Sequence, residues 1–117
     1  MNELQINTRK TILNTLDLLG SFSKQSEYKS SVPFVNIPAE LIEQWSNHNR
    51  IKNNNWYIEI WTENEYLLLE AFNKNFQEKL VCLPKKLPDI PQILENENWI
   101  EIMEMAQDIN YYFTSNI

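Results

Sequence analysis

Four carboxylates, Glu97, Glu101, Glu104 and Asp108, recur at steps of three and four residues near the end of the 117-residue chain. On a helix turning about 100° per residue they fall within about 60° of one another. Trp99, Ile102, Met103, Ala106, Ile109 and Phe113 take the opposite side, so the segment reads as an amphipathic helix with an acidic ridge. Carboxylates placed in this way can solvate a face, share a cation, or attract a counter-charged protein. Their spacing is costly, because Glu97–Glu101 and Glu104–Asp108 are like-charge pairs that each destabilise a helix by about 0.2–0.5 kcal/mol. From Asp89 to Ile117 there are six acidic residues and no Lys or Arg, while the rest of the chain holds ten of each sign. The formal charge of −6 therefore belongs to this one segment. Solvation is the simpler reading of such a face. A face shaped only by stability would intersperse lysines, and their exclusion points to a basic partner whose association the ridge speeds and selects.

Other chemistry finds little to work with. Glu101 and Glu104 lie one turn apart, but a di-iron bundle also wants a His three residues after a Glu, and none occurs. Gly20 is the only glycine, which removes the phosphate-cradling loops. One Cys and one His cannot form a zinc site, and an EF-hand loop is absent. A pair of carboxylates for glycoside hydrolysis is available by residue type, yet no pattern marks one. His48 sits in the polar run Ser46–Asn55, expected to be a loop, and is read as a solvated side chain rather than a general base. Cys82, between Val81 and Leu83, is expected to be buried. The expectation is a non-enzymatic protein with no catalytic residue, metal or cofactor.

The elements that must position the ridge follow from periodicity and capping. A hydrophobic content of 43% with four Trp and five Phe argues for a folded domain over residues 1–117. Asn2 with Gln5 is a capping box for a first helix from Glu3, which turns Leu4, Ile12, Leu16, Leu19 and Phe22 inward. Gly20 can end that helix as a left-handed cap, but the absence of a second breaker favours a kinked helix continuing to Tyr28. Val32 and Ile37 precede prolines and read as extended, and Pro38 opens a short helix with Leu41, Ile42 and Trp45 inward.

Residues 56–83 divide the reading. Trp56–Trp61 has strand character, and a β-hairpin or meander there would make the fold α+β. Against it stand the capping box Thr62–Glu65, its flanking staple Trp61 and Tyr66, and the row Leu68, Phe72, Phe76, Leu80. These favour helix and a mainly α fold of four or five helices. Leu83–Pro91 holds three prolines and reads as a stiff linker, after which Asp89 caps a short helix over Ile90–Glu95. Asn96 or Asn98 starts the acidic helix, with Thr114–Ile117 expected to fray. Trp45, Trp61 and Trp99 fall on apolar faces and belong to the core, whereas Trp56, after three asparagines, is expected to be partly exposed. Trp56 and Tyr112 are candidate anchors for a partner.

The N-terminus lacks a basic stretch followed by an apolar one, and no apolar run approaches the ~20 residues of a membrane span. With a single Cys, the expected compartment is the cytoplasm. The acidic balance disfavours nucleic acid and anionic membranes as partners. The chain resembles the immunity proteins of bacterial polymorphic and contact-dependent inhibition toxins. The resemblance lies in its small, acidic, glycine-poor character and in three blocks: Lys24-Gln25 with Tyr28, Val32 to Leu41, and Trp99 with Met103. It implies a stoichiometric inhibitor of a basic toxin nuclease and carries over no functional residue. The partner-binding candidates remain Glu97, Glu101, Glu104, Asp108, Trp56 and Tyr112, chosen on charge, periodicity and placement. The alternative is an adaptor or self-associating subunit that binds through apolar surface.

Overall fold

The computed structural model describes residues 1–115. These form α1 (Glu3–Leu19), α2 (Phe22–Ser31), α3 (Ile37–Ile51), α4 (Asn55–Ile58), α5 (Glu63–Leu80), a 3₁₀ turn (Gln92–Glu95) and α6 (Glu97–Ser115). The fold is mainly α, and no strand occurs among the described residues, so the hairpin considered for 56–83 is not borne out. The last two residues of the segment expected to fray lie outside the described residues; α6 itself runs to Ser115.

The first helix starts as its sequence dictates. Asn2 Oδ1 accepts from the Gln5 backbone N–H at 2.9 Å, and Gln5 Oε1 accepts from the Asn2 N–H at 3.0 Å. Its apolar face differs from the expected one at both ends. Gln5 and Ile12, seven residues apart, lie within about 20° of each other, whereas Leu4 lies about 80° from Ile12. Gln5 is accordingly buried and Leu4 exposed.

The expected continuation through Gly20 is wrong. The chain breaks there, Ser21 Oγ accepts from Lys24 N–H at 3.2 Å to start α2, and Phe22 falls on an exposed position in the new register. Buried Gln25 then turns back and donates to the Leu18 and Leu19 carbonyls at 2.9 and 3.1 Å, satisfying the end of α1. Gly20 has φ −89°, so left-handed geometry is not its purpose. A Cβ at this position would lie 2.8 Å from the Gln107 nitrogen and 2.9 Å from its Cα, so the glycine lets α1 approach the backbone of α6. Gly20→Ala is therefore expected to destabilise the fold by about 1–2 kcal/mol through overpacking, although alanine favours helix. A chemical-denaturation midpoint that stays level or rises would show that the close approach is not limiting.

Helix α3 is longer than expected. Asn36 Oδ1 caps it through the Ala39 N–H at 3.0 Å, and Ile37 is already helical despite preceding Pro38. The Ile37 N–H, an orphan donor of the first turn, is taken by Asp89 Oδ1 at 3.1 Å. The residues expected to form a loop from Ser46 continue the helix to Ile51. Leu41, Trp45 and His48 are spaced i, i+4, i+7, which puts the histidine on the buried face, correcting its assignment to a solvated loop. The helix α5 capping box forms as expected, with the Glu65 N–H on Thr62 Oγ1 at 3.2 Å and the Thr62 N–H on Glu65 Oε1 at 2.9 Å. Leu69, Phe72 and Phe76 are its buried residues, while Leu68 and Leu80 are half-buried.

After α5 the proline-rich stretch carries no regular element until Gln92. Cys82, expected inside, is exposed because it follows the end of α5 in a turn. Asp89 does not cap a helix over Ile90–Glu95 through Gln92; its carboxylate accepts from the Ile37 and Ile90 N–H groups and from Lys29 Nζ, pinning the linker to α2 and α3. Burial works to raise the Asp89 carboxyl, but the Lys29 and backbone hydrogen bonds outweigh it and hold the group below its usual range.

Helix α6 packs on α1 and α5 and carries Trp99, Ile102, Ala106, Ile109 and Phe113 into the core. Trp45, Trp61 and Trp99 are buried and Trp56 is half-buried, as expected. Trp45 stands edge-on to Phe72 at 5.0 Å, and its Nε1 donates to Asn73 Oδ1 at 3.0 Å. A polar clamp closes the other end of the core. Arg9 of α1 donates twice to Glu65, at 2.9 and 2.8 Å, and once to the Ile60 carbonyl at 3.2 Å. Its guanidinium lies 5.0 Å from the Trp61 ring centroid and 5.6 Å from that of Phe113.

Candidate functional site

The acidic ridge stands where its periodicity places it. Asn96 Oδ1 accepts from the Asn98 and Trp99 N–H groups at 2.9 and 3.2 Å, which fixes the start of α6 and hence its rotation. Burial of Trp99, Ile102 and Ala106 then turns Glu97, Glu101, Glu104 and Asp108 outward, and all four are exposed. Lys79, at the end of α5, forms an ion pair with Glu101. No other ion pair reaches the ridge among the described residues, which leaves Glu97, Glu104 and Asp108 as bare carboxylates. No local pattern signals the Lys79 pairing, because the two residues belong to different helices.

Two shallow grooves flank these groups. One, between the 3₁₀ turn and α6, is lined by Leu94, Glu95, Glu97, Ile100, Glu101 and Glu104. The other, between α5 and α6, is lined mainly by Leu68, Ala71 and Asn75 on one side and Met105, Asp108 and Ile109 on the other. The two aromatic anchors lie on different helices, and only Tyr112 continues the ridge. Trp56 lies in α4, where its carbonyl accepts from buried Gln5 at 3.0 Å. Tyr112 is one turn past Asp108, half-buried, with its ring edge-on to Phe113 at 5.8 Å. Tyr111 beside it is 71% exposed.

Elsewhere the chemistry is structural. His48 Nε2 lies 3.0 Å from Thr15 Oγ1, which itself donates to the Thr11 carbonyl at 3.1 Å. The hydrogen bond between the Thr15 hydroxyl and the His48 ring ties α1 to α3. Burial pushes the histidine down to about 4, so it is neutral near pH 7. No cluster of three His, Cys, Asp or Glu side chains with the geometry to hold a metal ion occurs among the described residues. A broader depression between α1, α2 and α3 is lined by Asn14, Glu27, Tyr28 and Gln44, with the Asp17–Lys24 ion pair at its side. None of the described helices is long and apolar enough to cross a membrane. No protein-family model, curated protein or solved structure matches this chain.

Proposed function

We propose that this chain is a non-enzymatic binding protein that neutralises a basic protein, and that it acts as an immunity protein against a toxin nuclease. The observation behind this reading is the set of three exposed carboxylates without ion partners on a helix that has no Lys or Arg of its own. A nuclease must present cations to its substrate's phosphates, and a row of carboxylates competes for the same cations. Glu101 contributes less, since Lys79 already answers its charge.

The test is association with a co-purifying basic partner, measured at several salt concentrations. Glu104→Lys with Asp108→Lys spares the Lys79 pair and is expected to slow association about tenfold at low salt, with a smaller difference at high salt. An on-rate indifferent to both salt and the double substitution would remove the reading. Self-association through apolar surface is the competing reading, and a concentration-dependent mass in sedimentation that persists in high salt would favour it.

A further inference from the structure

We infer that the groove between α5 and α6 seats the partner's docking element, and that this element is a helix with one apolar and one basic face. The inference rests on the binding function proposed above and assigns a place and a shape to the contact.

The groove exists because α5 has two flanks and only one is covered. On the covered flank, Asn73 accepts from Trp45 Nε1 and from Asn49 Nδ2 at 2.7 Å, so α3 lies against it. On the other flank, Ala71 and Asn75 are exposed and Leu68 is half-buried. Helix α6 supplies the facing wall, where half-buried Met105 and buried Ile109 leave apolar surface below the exposed Asp108. The two helices run antiparallel, with Lys79 meeting Glu101 at one end and Trp61 meeting Phe113 at 5.7 Å at the other. A trough between two long antiparallel helices matches a third helix that presents apolar residues at i, i+3, i+4 and i+7. No strand occurs among the described residues, so there is no sheet edge to which an extended peptide could add as a strand.

Charge selects the occupant. The rim on the α6 side carries Asp108, with Glu104 one turn back, and neither has an ion partner among the described residues. The basic residues of α5 are Lys74 and Lys79. Lys79 is spent on Glu101 at the end of the trough, and Lys74 lies outside the groove's lining, about 60° past Ala71 and about 120° from Leu68 on the outer face of α5. Lys or Arg beside the apolar stripe of an incoming helix would meet Asp108 and Glu104, whereas an acidic helix would be repelled.

The test uses synthetic peptides and the intact protein. A Leu/Lys helix of about five turns is titrated into isotopically labelled protein at low salt, beside a Leu/Glu helix and a Lys oligomer lacking leucine. The Leu/Lys helix is expected to shift the amides of Leu68, Ala71, Met105 and Asp108. Ala71→Gln, neutral and on an exposed helical position, should weaken that helix about tenfold while leaving the Lys oligomer unaffected. Lys79→Gln, which frees Glu101, should tighten it. Shifts confined to Glu97 and Glu104, or no effect of Ala71→Gln, would overturn the groove assignment and leave the ridge reading standing. Equal binding of the Leu/Glu helix would overturn the basic occupant. Failure of both the Leu/Lys helix and the Lys oligomer to bind would sink this inference and the ridge reading together.

Discussion

Arg9→Ala is expected to lower folding stability by about 3 kcal/mol, the largest loss from any single charged side chain in the molecule. Three contributions add up at this one residue. The guanidinium makes two parallel bonds to Glu65 at 2.9 and 2.8 Å, with side-chain exposures of only 28% and 14%. It also satisfies the Ile60 carbonyl and rests against the Trp61 and Phe113 rings. Removing it strands a poorly solvated carboxylate that also completes the capping box of α5 with Thr62. The Glu65 hydrogen bond raises Arg9 above its ordinary pKa, and the Arg9 hydrogen bond in turn holds the Glu65 carboxyl below the usual range.

Arg9→Lys keeps the charge but loses the two-pronged geometry, and should recover only part of the loss. The decisive measurement is a double-mutant cycle with Glu65→Gln in chemical denaturation. The two single losses should exceed the loss in the double mutant by at least about 1 kcal/mol. Strict additivity would mean that Arg9 stabilises independently of Glu65, through the Ile60 carbonyl, its alkyl stem and the ring contacts.

A second large effect is expected on acidification, and His48 is its source. The histidine is 9% exposed and its folded value is pushed down to about 4, against an ordinary value of 6.5. Between those values the unfolded chain binds a proton that the folded chain refuses. Stability is therefore fully present above pH 6.5, falls as the pH drops toward 4, and has lost this contribution below that. A gap of that size corresponds to about 3 kcal/mol. The window is distinct from that of Glu65 and Asp89, whose lowered values make their contributions fade further into acid. His48→Gln keeps a hydrogen-bonding amide toward Thr15 without a titrating group. Its denaturation midpoint should change little between pH 6.5 and 5, whereas the natural protein's falls over the same interval. Equal slopes in the two proteins would assign the acid sensitivity elsewhere.

Much of the helical framework was legible because its signals act within one turn. The boxes Asn2–Gln5 and Thr62–Glu65 each need only a side chain and a backbone N–H three residues apart, and both form. The acidic ridge was legible for a related reason: a fixed rotation per residue and an apolar stripe determine which way the remaining side chains point. His48 also carried a signal, its place in the row with Leu41 and Trp45, but the run of polar neighbours outweighed it.

Local pattern alone dictates a helical chain with its excess negative charge turned outward along one helix. Tertiary structure alone decided where α1 stops, because the need for glycine at position 20 arises from the backbone of α6 rather than from its own neighbours. It also decided that Glu101 is answered by Lys79, that Arg9 clasps Glu65 across 56 residues of chain, and that one flank of α5 stays open. Local hydrogen bonding fixes the shape of each segment, whereas contacts between segments depend on how closely their surfaces can approach once all are packed together.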